Sequence, residues 1–328
     1  MKKLIFLLPV MAMSMAAEAT IRRCNNNFGV STSLGVYATA QAAHDAASVG
    51  DTIHIEPSPT NYGAVTCTKR LVWISTGNFL DANPGLQVAN TAAGVVSTMT
   101  MNAGSAGSVL SIFSSSDCNI YTNDITINRS YFNSYINNYG GVISNLVITS
   151  SYAYHISLGN CANAIVTNNL IGVSVTNGAS GSAVVTNNVL SIHGRTEQLI
   201  GPAALFNSIF QNNILIKGSS YTFTNSLASY NITPDAAVLP LGNNNIFNAL
   251  MANVVVNPVF TSDKDMQLKA GGPAIASGAG GADRGAFGGG TPYKLGLQAA
   301  IPAITALSSP ATLNPSTIQV TFSAKSNN

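Results

Sequence analysis

Short apolar runs alternate with asparagine pairs through the middle of the chain: Val166-Thr-Asn-Asn-Leu170, Val185-Thr-Asn-Asn-Val189 and Phe210-Gln-Asn-Asn-Ile214. Tyr121-Thr-Asn-Asp-Ile125 and Ile143-Ser-Asn-Leu-Val147 are looser copies upstream, so the steps from Asn123 to Asn145, Asn168, Asn187 and Asn212 are 22, 23, 19 and 25 residues. A persistent period near twenty marks a solenoid. Each unit is too short for a strand plus a crossover helix but long enough for two or three short strands joined by turns. The pattern therefore predicts an all-β chain, a parallel β-helix, with one unit per coil.

The asparagines have a physical reason to sit at the corners. Asn tolerates the left-handed backbone conformation and bonds its own neighbouring backbone, so it suits a sharp turn between strands of different sheets. With coils stacked about 4.8 Å apart, equivalent amides also bond the one above and the one below. On this reading Asn168, Asn187 and Asn212 form a structural ladder.

Outside the repeat the pattern changes. Tyr37 to Ser48 is an alanine-rich helical stretch stopped by Val49-Gly-Asp51 and followed by the alternating strand Thr52-Ile-His-Ile-Glu56. A short helix there would cap the open edge of the first coil. Beyond Gly290 a proline-punctuated connector leads to two candidate strands within Ile304 to Ser323, expected to lie along the β-helix or close its far end. The organisation expected is a signal peptide over 1–19, a capped β-helix over 20–290 with roughly ten coils of about 22 residues, and a C-terminal connector with a short β extension over 291–328.

Composition narrows the function. Only 8% of the 328 residues are charged against 46% hydrophobic, and the net charge of +2 comes from scattered Lys and Arg. Nucleic acid and charged membrane surfaces are thus not expected partners. Lys2 and Lys3, the apolar Leu4 to Ala12 and Ala17-Glu-Ala19 have the form of an export signal, placing the protein outside the cell or on its surface, with no membrane span after cleavage. Cys24 and Cys67 are 43 residues apart, as are Cys118 and Cys161. In an oxidising compartment Cys24 to Cys67 and Cys118 to Cys161 is the favoured one of three pairings, and four small buried hydrophobes is the alternative. The absence of a C-x-x-C or Cys/His cluster argues against zinc, and no other metal or cofactor is expected.

The helix, then Gly50-Asp-Thr-Ile53, Pro57, Tyr62 and Thr68-Lys-Arg-Leu-Val-Trp-Ile74, resembles the opening coil of secreted right-handed parallel β-helix proteins of the pectate-lyase-like superfamily. Asn257-Pro-Val-Phe260, Met266-Gln-Leu268, Gly272-Pro-Ala-Ile275 and Asp283-Arg-Gly-Ala-Phe-Gly-Gly289 resemble its closing coil. Gly77-Asn-Phe-Leu80, Asn83-Pro-Gly-Leu-Gln87 and Asn102-Ala-Gly-Ser-Ala-Gly-Ser108 are most similar to exported bacterial members with no assigned activity. The resemblance implies a right-handed single-chain coil.

Lyases of that superfamily use a basic residue beside calcium-holding carboxylates, and its hydrolases use clustered acids. Between Ile125 and Phe260 the only acids are Glu197 and Asp235, and Asp117, Asn123 and Asp124 lack calcium-loop spacing. His193, Arg195 and Glu197 are the best catalytic candidates, since alternate residues of an extended segment bring a base, a cation and an acid within about 7 Å. An exposed loop with a surface ion pair is the other reading. Tyr152, Tyr154 and His155, extended by Tyr131, Phe132, Tyr135 and Tyr139, are candidates for stacking on sugar rings, or for packing. The function expected is a non-catalytic scaffold, adhesin or module contacting a polysaccharide or surface glycan. The alternatives are a polysaccharide lyase or glycoside hydrolase, and a self-associating filament subunit.

Overall fold

The computed structural model describes residues 19–31, 35–86, 91–193, 203–217, 221–235, 238–298, 303–308 and 320–325. It is a parallel β-helix of about nine turns with little helix. Eleven parallel strands stack into a first sheet, from Val36–Tyr37 and Ile21–Cys24 at one end to Leu227–Ser229 at the other. A second sheet of nine strands begins at Val65–Cys67 and ends at Ile214–Leu215. Its middle strands are long and bent. Tyr152–Ser157 pairs through Tyr152 and Ala153 with Leu170–Ile171, and through Ile156 and Ser157 with Val175–Thr176. From there the coil has three sides, the third continued by Ala203–Phe206 and Tyr221–Thr224.

Period-two alternation explains the core. In the first sheet Ile53, Trp73, Leu110, Ile127, Ile148, Val166, Val185, Phe210 and Ala228 fall in one register column, and all are buried. Burying each large side chain contributes about 1.5–3 kcal/mol before entropy is counted, so stacked columns hold the coils together. The N-terminal end is closed as expected by a helix, Ala40–Ala46, whose Ala40 and Ala43 join the core. Thr39 Oγ1 accepts from Ala42 N at 3.2 Å, and Lys69 Nζ donates to the carbonyls of His44, Asp45 and Ala47 at 2.9–3.0 Å.

The corner leaving the first sheet is where the repeat acts. Each such corner has one left-handed residue, followed in six coils by a buried polar residue, after Ile112 by Phe113 and after Asn244 by the half-buried Asn245. The left-handed series is Ile112, Arg129, Ser150, Asn168, Asn187, Asn212, Tyr230 and Asn244, with φ between 49° and 61°. The residue after each makes the ladder. Asn169, Asn188 and Asn213 donate backbone N–H to Oδ1 of Asn188, Asn213 and Asn231 at 2.9 Å. Asn231 does the same to Asn245. Ser151 joins by donating to Asn169 Oδ1, and Phe113 and Ser130 continue it by donating to Ser130 and Ser151 hydroxyls. The expected ladder of Asn168, Asn187 and Asn212 is therefore displaced by one residue: those three make the turn, and their successors bond coil to coil. Asn123 and Asn145 are not earlier copies. They lie at the other corner, where the chain enters the first sheet, with Asp124 and Asn145 left-handed at φ 59°. Both corners recur once per coil and both favour Asn, so spacing alone merges them.

One further expectation is corrected. All four cysteines are free and buried. Cys24 lies in the first sheet beside Ile55 and Tyr37, whereas Cys67 and Cys118 lie in the second sheet beside Met101 and beside Met99 and Ile136. Cys161 sits in the turn before Ala162. They share a core but no row, so equal spacing brings no pair into a bridge; burial pushes the Cys24 thiol up to about 12. The C-terminal strands, Ala303–Ser308 and Thr321–Lys325, pair antiparallel with each other. The segment resembling a closing coil runs back along the outer side of the second sheet.

The two corner positions separate in a melting experiment. Asn188→Ala leaves the buried backbone N–H of Asn169 without its acceptor and removes the amide's bonds to the carbonyls of Val166 and Thr186, at about 1–3 kcal/mol for the orphaned donor. Asn187→Gly keeps the left-handed turn and loses one bond to Asp283 O, about 1 kcal/mol. Calorimetry should show Asn188→Ala melting far below Asn187→Gly; equal melting would refute the division of roles.

Candidate functional site

The outer faces of the two sheets have opposite fates. On the second sheet the outward column is Tyr131, Tyr152, Leu170, Val189, Ile214 and Ile232. A second hydrophobic cluster covers it, built from Met251, Val254, Val255, Met266, Ala274, Ala286, Tyr293 and Leu297. Leu170-Ile171, Val189-Leu190 and Ile214-Leu215 are thus strands buried on both sides, a signal present in the sequence because a half-exposed strand would alternate with polar residues.

The left-handed corner residues hold this covering strap. Asn212 Oδ1 accepts from Ala279 N at 2.9 Å, Asn187 Nδ2 donates to Asp283 O at 3.1 Å, and Asn168 Nδ2 donates to Ala286 O and Gly288 O at 3.0 and 2.7 Å. Arg129 Nη1 donates to Gln298 O at 2.9 Å. The strap thereby steps back coil by coil. Gly285 takes φ 80° against Ile214, where a Cβ would come within 2.5 Å of its Cδ1. Arg284 does not pair with Asp283; it is buried, donates to Ser277 O, Asn231 O and Asn244 O, and lies 5.8 Å from the Tyr230 ring centre. At the strap's far end the buried Asp263 accepts from Asn83 Nδ2 at 2.8 Å and Gly296 N at 2.7 Å, and burial raises its pKa.

The sequence candidates divide along this boundary. Tyr152 is buried, stacked between Tyr131 at 4.9 Å and Phe260 at 5.6 Å, and its hydroxyl meets His193 Nε2 at 2.9 Å. His155 is buried too, against Tyr135 and with Nδ1 3.2 Å from Ser174 Oγ, so it does not join His193. Tyr154 remains at the surface, stacked on His193 at 6.0 Å over Gly172, where a Cβ would come within 2.9 Å of both rings. Sugar stacking by the trio is thereby reduced to Tyr154, because Tyr152 and His155 present no ring face to solvent. Arg195 and Glu197 lie outside the described residues, as does the 1–18 portion of the export signal. Of the proposed catalytic group only His193 is placed.

The first sheet's outer face stays open. One column is Val72, Val109, Thr126, Val147, Ile165, Val184, Ile209 and Leu227; its companion is Ile74, Ser111, Asn128, Thr149, Thr167, Thr186, Gln211 and Ser229. Neither contains a charge across eight strands. Ile165, Val184, Ile209 and Leu227 are 39–48% exposed, and Ile165, Val184 and Ile209 line a shallow hollow of about 320 Å³. The polar column is partly self-bonded, as in Thr186 Oγ1 to Thr167 Oγ1 at 3.3 Å and Gln211 Nε2 to Ser229 Oγ at 3.0 Å. Sequence reasoning missed this face because single exposed Val and Ile residues are unremarkable until register aligns them.

Carboxylates lie away from it. Asp51 and Glu56 bind Arg22 and Arg23 near the N-terminal end, Asp265 caps its own turn in the strap, and Asp124 accepts from Asn145 at the corner. Among the described residues no group of three His, Cys, Asp or Glu is arranged to hold a metal, and no helix is long and apolar enough to cross a membrane. Fold and surface together define a parallel β-helix with one strapped face and one open, uncharged face. No family model, curated protein or solved structure matches the chain.

Desolvation first, and Lys217 second, lower the pKa of His193 below its ordinary 6.5. The unfolded chain therefore takes up this proton before the folded one, so the ring's contribution to stability is full above 6.5 and is lost as pH falls. Melts from about pH 8 to pH 5 should fall more steeply for the native chain than for His193→Gln. Parallel slopes would show a ring as solvated as in the free chain.

Proposed function

We propose that the protein is a non-catalytic contact module, an adhesin-like scaffold that meets a neutral glycan polymer through the open face of the first sheet. The carrying observation is the pair of register columns without a charge over eight strands. A flat, repeating surface of methyl, hydroxyl and amide groups complements an uncharged polymer, and a contiguous exposed apolar patch is a mark of an interaction site. The reading places the protein among the secreted or surface-attached right-handed β-helix proteins of the pectate-lyase-like superfamily that it resembles. His193 supports the non-catalytic side, since its Nε2 is engaged by the Tyr152 hydroxyl.

Co-sedimentation with insoluble neutral polysaccharides tests the proposal. Val184→Lys and Thr186→Asp should weaken binding about tenfold, the equivalent of 1.4 kcal/mol, while leaving the melting temperature nearly unchanged. Binding that ignores both substitutions would sink the reading. Release of soluble fragments that stops in Glu197→Gln would replace it with a glycan-cleaving enzyme, and assembly seen by light scattering and abolished by Val184→Lys would replace it with a filament.

A further inference from the structure

We propose that the cleft between the strap and the corner at Arg129 binds a small oxyanion group: a phosphate, a sulfate or a carboxylate. Arg129 occupies the corner place that Asn168, Asn187 and Asn212 fill in later coils and takes the same left-handed backbone, at φ 49°. Ile112, Ser150 and Tyr230 take the same conformation at their corners, so the turn belongs to the coil and the side chain at this place is what differs from one coil to the next. The Arg129 bond to Gln298 O uses one N–H. A guanidinium has five, in a fork that matches an oxyanion, and among the described residues no other acceptor takes them.

The cleft holds about 400 Å³ and brings Lys294 into the same wall, with Asn128, Thr149, Ser150 and Thr291 supplying hydroxyl and amide groups. Among the described residues no Asp or Glu lines it, and Arg129 has no carboxylate partner there, whereas Arg22 and Arg23 each have one. Burial also lowers the Arg129 pKa, as befits a cation with no counter-charge. Asn128 and Thr149 belong to the polar column of the open face, so the cleft opens at its edge. The site goes beyond the glycan reading and stands without it.

Isothermal titration of the full chain with inorganic phosphate, sulfate and acetate, each against chloride at constant ionic strength, tests the site and distinguishes the three chemistries. Saturable binding at about millimolar Kd or tighter by at least one of them is expected. Arg129→Gln should weaken it about tenfold or more, Arg129→Lys less because charge survives without the fork, and Lys294→Gln several-fold. Circular dichroism and melting check that each variant folds; if the Arg129 variants do not, Lys294→Gln decides. No saturable binding above chloride, or affinity unchanged in the folded variants, overturns the proposal. Neither result depends on whether the polysaccharide assay succeeds.

Discussion

Everything in this molecule hangs on how the chain turns out of the first sheet. A coil that folds back on itself must bend sharply once per side, and every buried amide at the bend needs a partner. The chain meets both demands with two consecutive residues, one taking the left-handed conformation and the next sending a side-chain acceptor to the backbone N–H of the coil before it. Asn serves both positions, as turn former at Asn168 and as ladder member at Asn169, and Ser does so at Ser150 and Ser151. Where the ladder side chain shortens, Ser130 and Ser151 supply the acceptor with a hydroxyl, and the corner persists.

The same turn produces the outer architecture. A left-handed residue at a corner directs its side chain away from the interior, and a vertical row of such side chains gives the returning strap its anchors. Asn212, Asn187, Asn168 and Arg129 each bond strap backbone. The strap is thus bound by polar groups along the corner and by apolar groups across the second sheet. Its arrival covers the column from Tyr131 to Ile232 on that sheet, burying Tyr152 and leaving Tyr154 beside it at the surface. One event of packing decides which face of the coil can meet another molecule.

Much of the fold was legible because periodicity reports directly on coil length. The helical cap and the strand at Thr52 were equally plain, since an alanine run stopped by Val49-Gly-Asp51 and strict alternation each have one physical reading. Phase was not legible: Asn145 and Asn168 obey the same conformational rule at different corners, and only register separates them. The cysteine spacing misled for a related reason, since two positions a fixed number of residues apart share a row only if every intervening coil has the same length. From one left-handed corner residue to the next, coils run from 14 residues between Tyr230 and Asn244 to 25 between Asn187 and Asn212. The strap was hidden in the sequence as adjacent apolar pairs, Leu170-Ile171 and Val189-Leu190, in which a second burying partner is written but not named.

Scarcity of charge then acquires a structural meaning. In a stacked coil any side chain on a strand is repeated, in register, about 4.8 Å above and below, so a charge on the face faces like neighbours unless each coil alternates sign. Threonine, valine and asparagine carry no such penalty and let the columns extend without interruption from Val72 to Ser229. Charges collect instead toward the margins: on the first strands with Arg23 and Glu56, in the strap with Asp263 and Arg284, and at the Arg129 corner. Repetition thereby sorts the chemistry of the chain, giving the sheet a neutral surface suited to extended contact and leaving its few ionic groups to the edges, where a single ligand can be recognised.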